Sequence, residues 1–409
     1  MPRLFRKNLP HSVGPLIGWL VGVLAVGYTT ISIYVPSMPA IAAYFNASTS
    51  TVQLTLVVYM WAFAVAQLFY GPLSDRIGRV PAMMIGFGIY ILASIWASLA
   101  SSIDMLILAR GVQAFGACAG PVISRAVLRD TFERERGAQL MTYVGMAMIV
   151  APTFAPVIGG YLEAIFGWQA IFLFLTGLGV VMALWTWFGL EETNVRRPVV
   201  RGSPALDMLR AFPAVMRSRV FVLLTLQTGF GASALFTYTA GVPFFLIQTL
   251  GYAPDTAGLL LVIPITFNFI GSAVASRITP KLGVDRMVLF GTSVLLVGAI
   301  LMLVAALLEV REAWAVLAPA ALAYFGLANS FPNASQGALS PFARRAGTAS
   351  GVNGFLTMVI AASAVFVAGQ LQDCSALPMA AVMATCAMAA LASILLHMLL
   401  PPSQIRNEE

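Results

Sequence analysis

The sequence predicts an all-α polytopic membrane protein of twelve transmembrane helices, arranged as two pseudo-symmetric six-helix halves. Three observations carry this reading. Of the 409 residues, 59% are hydrophobic and 10% charged, with a mean hydropathy of +0.88, whereas soluble domains carry roughly 25% charged residues. Apolar runs such as Val80 to Ala100 are uninterrupted, which suits helices crossing a bilayer and excludes the short alternating segments of a membrane barrel. The basic residues also collect in alternate loops, as the positive-inside rule requires of cytoplasmic ones.

Taken in order, the apolar runs give spans at about 14–35, 51–70, 80–100, 103–128, 138–162 and 168–190, then 219–248, 255–276, 285–308, 313–338, 346–371 and 377–400. Arg3, Arg6 and Lys7 precede the first span and place the N-terminus inside. Arg76 and Arg79, Arg129 to Arg136, Arg196 to Arg219, Arg277 to Arg286, Arg344 with Arg345, and Arg406 fall on that same side. The outer loops hold Asp104, Glu163, Asp255, Glu309, Glu312 and Asp373, with Arg311 as the one basic intruder. The net charge of +7 therefore reports orientation and not affinity for nucleic acid. A basic start followed by Leu16 to Val35 resembles a cleaved signal ending at Ala40-Ile41-Ala42, but the run from Gly14 to Tyr34 is long enough to span, and the topology needs it.

Domain boundaries follow from composition. Residues 191–218 form the one long polar run, with Arg196, Arg197, Arg201, Arg210 and Arg217 beside Pro198 and Pro204. The expectation is an N-terminal half over 1–190, a cytoplasmic linker over 191–218 and a C-terminal half over 219–409. The halves echo one another. GPLSDRIGRV (Gly71 to Val80) follows the second span and SRITPKLGVDRMV (Ser276 to Val288) follows the eighth, each a basic loop with a central glycine, Gly78 or Gly283. Internal duplication of this kind is common in transporters. Two spans also look interrupted: the fifth by Pro152, Pro156 and Gly159-Gly160, and the tenth by Asn329-Ser330-Phe331-Pro332-Asn333. Cys118, Cys374 and Cys386 make no disulfide framework.

The residue that demands an explanation is Arg110, inside the fourth span on the order of 10 Å along the axis from Asp104. A charge at that depth costs a few kcal/mol unless paired or wetted. Gln113 lies at i+3 on the same helix face. None of the sixteen acidic residues falls in the middle third of a span, and His11 and His397 sit at the inner surface. Polar and aromatic side chains on other spans complete a candidate substrate set: Tyr28, Ser32, Tyr59, Gln227, Tyr238, Asn268, Asn329 and Asn333. Enzymatic readings lack support: the chain has no HExxH, no phosphate-binding Gly-x-x-x-x-Gly-Lys-Ser/Thr and no Cys/His cluster. No metal or cofactor is expected.

Several stretches resemble a known family. Gly71-Pro72-Leu73-Ser74-Asp75-Arg76-Ile77-Gly78-Arg79 looks like the loop signature between helices two and three of the major facilitator superfamily. Arg110-Gly111-Val112-Gln113 is similar to that superfamily's fourth-helix motif, with Ala114 where a glycine is usual. Ala151-Pro152 through Gly159-Gly160 resembles the fifth-helix motif of its drug:proton antiporters. Tyr34 to Pro39, Arg125 to Asp130, Phe166 to Phe172 and Arg345 to Ser350 together resemble the bicyclomycin- and chloramphenicol-resistance (Bcr/CflA) branch. The resemblance implies a major facilitator fold in a bacterial inner membrane and export of a small amphipathic compound. It further implies a conformational gate of Asp75, Arg76, Arg79, Arg125 and Asp130, with Pro152 and Pro156 shaping helix five. Asp75 is expected to face the start of helix eleven and Arg125 or Arg129. The chain departs from the branch at Ser32, where the branch carries an aspartate implicated in proton coupling. An organic anion, such as a siderophore, carried in or out by the membrane potential is therefore the competing expectation. Protons as coupling ion and a monomeric state are further expectations.

Overall fold

The computed structural model describes residues 13–131, 154–194, 212–213, 215–371 and 375–400. Eleven of its helices are long and apolar enough to cross a membrane, and a shorter apolar helix covers Phe154–Phe166 within the expected fifth span. All described regular structure is helical, so the predicted all-α polytopic class holds. Pro152, Glu133, Glu135, Cys374 and most of the polar run 191–218 lie outside the described residues.

The helices are α1 (Val13–Ser32), α2 (Met38–Phe45), α3 (Thr49–Ile77), α4 (Arg79–Ser98), α5 (Ile103–Ala117), α6 (Ala119–Thr131), α7 (Phe154–Phe166) and α8 (Gln169–Gly189). After them come α9 (Arg219–Pro243), α10 (Pro254–Leu260), α11 (Val262–Leu282), α12 (Val284–Leu307), α13 (Trp314–Leu339), α14 (Ala346–Gln370) and α15 (Leu377–Leu399). Serine starts three of them. The Ser48, Ser102 and Ser218 hydroxyls accept from the amides of Thr51, Met105 and Phe221, satisfying donors that have no partner within the helix.

Helix ends differ from expectation in an instructive way. The second span does not stop near residue 70: α3 continues through Gly71 to Ile77, and only Gly78 departs, at φ +104°. On the eighth span α11 likewise runs to Leu282 and turns at Gly283, φ +83°. Side chains with a Cβ rarely adopt such a φ, so each apparent loop reduces to one glycine between two helices. The charges that made these stretches look like loops sit on the helical turns on either side of the glycine: Asp75, Arg76 and Lys281 before it, Arg79, Asp285 and Arg286 after it.

Proline also breaks less than its sequence position suggests. α13 passes unbroken through Asn329 to Asn333, correcting the expected interruption of the tenth span. Pro332 removes one amide donor, and the Asn329 and Asn333 side-chain amides donate to the Phe325 and Asn329 carbonyls one turn back, adding bonds beside the gap. α7 runs through Pro156 and Gly159-Gly160 without a break. Among the described residues, discontinuities lie instead in the eighth span, between Leu260 and Val262, and in the fourth, where α5 ends at Ala117 and α6 begins at Ala119. In the fourth, Pro121 is the cause, since its ring conflicts with the carbonyl four residues earlier, that of Ala117.

Contacts divide the chain into two compact units, Met1–Leu206 with Ala253–Leu259, and Asp207–Tyr252 with Leu260–Glu409. In the first, α3 packs on α5 and α4 packs on both α5 and α8. In the second, α12 and α13 form the most extensive pair, and α9 packs on α14 and α15. Without a strong hydrophobic drive between helices inside a bilayer, close contact depends on small residues. Gly116 shows this: a Cβ there would lie 2.5 Å from the Tyr90 backbone nitrogen, so α4 and α5 could not approach as they do with any larger side chain.

Candidate functional site

The first unit is organised around Arg110, whose side chain is fully buried. α5 presents Arg110 and Gln113 on one face, and the Arg110 Nη1 donates to Gln113 Oε1 at 2.7 Å. Gln113 passes the interaction on: its Nε2 donates to Ser94 Oγ at 2.8 Å, and that hydroxyl donates to the Tyr90 carbonyl. Nη1 also makes a long contact, 3.4 Å, with the Thr30 carbonyl near the end of α1. The Thr30 hydroxyl in turn meets Tyr90 Oη at 2.7 Å. The network therefore ties α1, α4 and α5 together.

Aromatic rings supply the rest of the surroundings. Arg110 Cζ lies 4.3 Å from the ring centroid of Tyr59 on α3 and 4.6 Å from that of Tyr34, just beyond α1. Phe172 of α8 is farther, at 6.0 Å. A desolvated cation over an aromatic face gains on the order of 2 kcal/mol, so the two near rings offset much of the few kcal/mol that burial costs. Tyr34 is itself fixed, its hydroxyl 2.8 Å from Thr55 Oγ1. Arg110 makes no ion pair among the described residues. Its Nε and Nη2 are buried with no hydrogen-bond partner there.

Of the residues singled out from sequence, the structure thus unites Arg110, Gln113 and Tyr59. Ser32, the last residue of α1, is half-buried and is not among the partners of Arg110; the Tyr28 side chain lies outside the described ones. Asp104 is an exposed first-turn residue of α5. Glu163, at the far end of α7, is half-buried with Oε2 unpartnered among the described residues. Tyr34, Phe172, Thr30, Tyr90 and Ser94 were not singled out as site residues. Aromatic and small hydroxyl residues in apolar spans give no sequence signal that separates packing from charge compensation.

The second unit holds an uncharged counterpart. Gln227 Nε2 donates to Thr292 Oγ1 at 2.8 Å. Tyr238 stacks edge-on against Tyr324 at 5.8 Å, and Asn268 Nδ2 donates to the Tyr324 carbonyl at 3.2 Å. Asn333 Nδ2 reaches both the Asn329 carbonyl and Thr279 Oγ1. The Gln227 Oε1, Tyr238 Oη and Asn329 Oδ1 atoms are buried and unpartnered among the described residues.

The expected gate residues form a second charged cluster in the first unit. Arg79 opens α4 and is 3% exposed. It donates through Nη1 to Asp75 Oδ1 at 2.6 Å and through Nε to Asp130 Oδ2 at 2.8 Å, with Ser74 Oγ as a third acceptor at 2.7 Å. Arg76 and Arg125 are exposed, and Pro156 is buried on α7. Sequence reading missed the residue that completes this cluster. Glu192 accepts from the Arg79 and Val80 amides at 2.9 and 3.1 Å, a carboxylate on the positive end of α4. Asn194 adds a bond from Nδ2 to the Asp75 carbonyl at 2.9 Å. Both had been read as part of a polar linker, whereas residues 191–194 clasp the α3–α4 turn.

Duplicated helical turns, two helical units and a buried arginine in the fourth span together define a polytopic carrier. The chain belongs to the major facilitator superfamily: the model of that family, described as Major Facilitator Superfamily, matches residues 20–366. It is 34% identical over 345 residues to Multidrug resistance protein D of Escherichia coli strain K12, covering 83% of this chain and 85% of that one. It is also 30% identical to a Chloramphenicol resistance protein of Pseudomonas aeruginosa, over 79% of this chain and 76% of the relative. These relatives agree with the drug-resistance branch that the motifs resemble. Among solved structures, the xylose transporter XylE of E. coli, in a partially occluded inward-open form, superposes with a TM-score of 0.70 at 12% identity, over 95% and 97% of the two chains. A D-xylose-proton symporter gives 0.71 at 14%, over 95% of this chain and 98% of that one. At such identities these two show the fold alone. The family is one of membrane-embedded transporters of small molecules.

Proposed function

We propose that this protein exports a small amphipathic drug or metabolite across the bacterial inner membrane by alternating access, its two halves (1–190 and 219–409) moving about the polar segment between them. Both termini face the cytoplasm in this reading, as the distribution of Lys and Arg supports. The observation that carries the proposal is a cation, Arg110, buried with no carboxylate partner among the described residues in a chain whose near full-length relatives bear drug-resistance names. A buried charge in a membrane span is retained at a cost, and the common reason is a transport site or relay. Arg110 and Gln113, with Tyr59 and the aromatic faces around them, form the polar part of the site in the first unit. Gln227, Tyr238, Asn268, Asn329 and Asn333 contribute uncharged donors and acceptors in the second, and Tyr28 and Ser32 belong to the same proposal.

Asp75, Arg79, Asp130 and Glu192 hold the α3–α4 turn as one rigid piece, which suits a gate that moves as a unit. Coupling is the departure from the branch: with Ser32 on the first span, no carboxylate stands where the branch has one. The protein works as a monomer in this account, since each chain carries both halves.

The test is expression in a drug-sensitive bacterial strain. Tolerance to chloramphenicol and to a second amphipathic antibiotic should rise with the wild-type chain and return to the host level with Arg110→Ala at equal membrane abundance. No rise with the wild type would end the export reading.

A further inference from the structure

The guanidinium of Arg110 has its two vacant donors on one side. Nη1 is engaged by Gln113 Oε1 and the Thr30 carbonyl, while Nε and Nη2 have no partner among the described residues. In a planar guanidinium, the Nε–H and the neighbouring Nη2–H point the same way and form a fork. Two parallel donors match the two oxygens of a carboxylate in a bidentate pair.

We propose that the Nε–Nη2 edge of Arg110 is the anchor for a carboxylate on the transported compound, so that the preferred substrate is an amphipathic aromatic acid. The inference rests on the export reading for its setting and adds the chemical class. Three features of the chain fit it. No described acidic side chain pairs with Arg110. Tyr34, Tyr59 and Phe172 lie around the cation, so the anchor is set in aromatic, largely apolar surroundings of the kind an amphiphile's hydrophobic body prefers. Gln113 is held by Ser94 and fixes the guanidinium plane through its other nitrogen, which preorganises the fork. Arg110 is fully buried in this conformation; a substrate reaches the fork in the part of the cycle that uncovers it.

The experiment measures binding of 4-biphenylcarboxylate and of its neutral isostere, 4-biphenylcarboxamide, to the purified full chain in detergent. The wild type should prefer the acid by about tenfold or more, since the carboxylate offers an anionic acceptor to each donor of the fork, whereas the carboxamide offers one neutral acceptor and turns an N–H toward the other donor. Arg110→Lys keeps the charge and loses the planar fork; its preference for the acid over the amide should fall below about threefold. A wild type that binds the two equally, or binds neither, overturns the proposal, and so does an acid preference that survives in Arg110→Lys. The wild-type comparison decides by itself if the variant does not fold. Tolerance conferred against neutral antibiotics with no acid preference would leave export standing and remove only the carboxylate anchor.

Discussion

The two units hold comparable amounts of buried polar chemistry but solve it differently. In the first, hydrogen bonds radiate from one cation through Gln113, Ser94, Tyr90 and Thr30. In the second, neutral pairs do the same work: Gln227 with Thr292, Asn353 with Thr225, Thr228 with Thr357, and Asn333 with Thr279. The shared ancestry suggested by the halves survives in backbone geometry, where Gly78 and Gly283 adopt similar turns. It does not survive in side-chain chemistry. Neutral buried hydrogen bonds contribute about 1 kcal/mol each, so the second network is explained by stability. A buried guanidinium with no counter-ion among the described residues is not, because hydrophobic replacements of buried charges are often neutral or stabilising. On the proposed reading, the first unit supplies the charged recognition and the second only neutral contacts.

Substitutions can sharpen this contrast. The largest loss of stability should come from Gln113→Leu, which removes the one short hydrogen bond to Arg110 and strands a charged donor; a cost of about 2 to 3 kcal/mol, read as a lowered Tm in detergent, is expected, with transport lost as well. Next is Glu192→Ala. Removing a carboxylate that accepts two amides at a helix start should cost about 1 to 2 kcal/mol, and Glu192→Gln should recover part of it. If Glu192→Ala matches the wild type in Tm, residues 191–194 do not clasp the turn. The smallest effect is expected in the second unit. For Gln227→Leu the Thr292 hydroxyl keeps its own bond to the Val288 carbonyl, so the change should stay near 1 kcal/mol, with less than about threefold change in export. A Gln227→Leu protein as disabled as Gln113→Leu would erase the distinction between the units.

How much of this was legible in the sequence depends on range. Arg110 and Gln113 sit three residues apart on one helix, and the spacing alone brings them together. Gly78 and Gly283 announced turns, although the charges beside them concealed that both helices run up to the glycine. The cage was legible only in part. Tyr59 was among the candidate residues, but Tyr34 and Phe172 come from two further spans, and nothing local distinguishes a ring that screens a cation from one that fills space. Glu192 lies 113 residues from Arg79, and its polar neighbourhood read as linker. The supposed break at Asn329–Asn333 failed for a different reason: proline and asparagine signal turns in water, whereas within a long apolar helix the asparagine side chains bond back to the helix itself.

The central claim is that Arg110 is kept for transport and not for folding. Arg110→Met tests it most directly, with Tm in detergent and drug efflux measured on the same preparation. The account predicts a Tm within about 2 °C of the wild type, or above it, since a change of 1 kcal/mol moves Tm by only a few degrees, together with loss of efflux. A Tm lowered by more than about 5 °C, which on the same scale exceeds 1 kcal/mol, or efflux that persists at the wild-type rate, would contradict it.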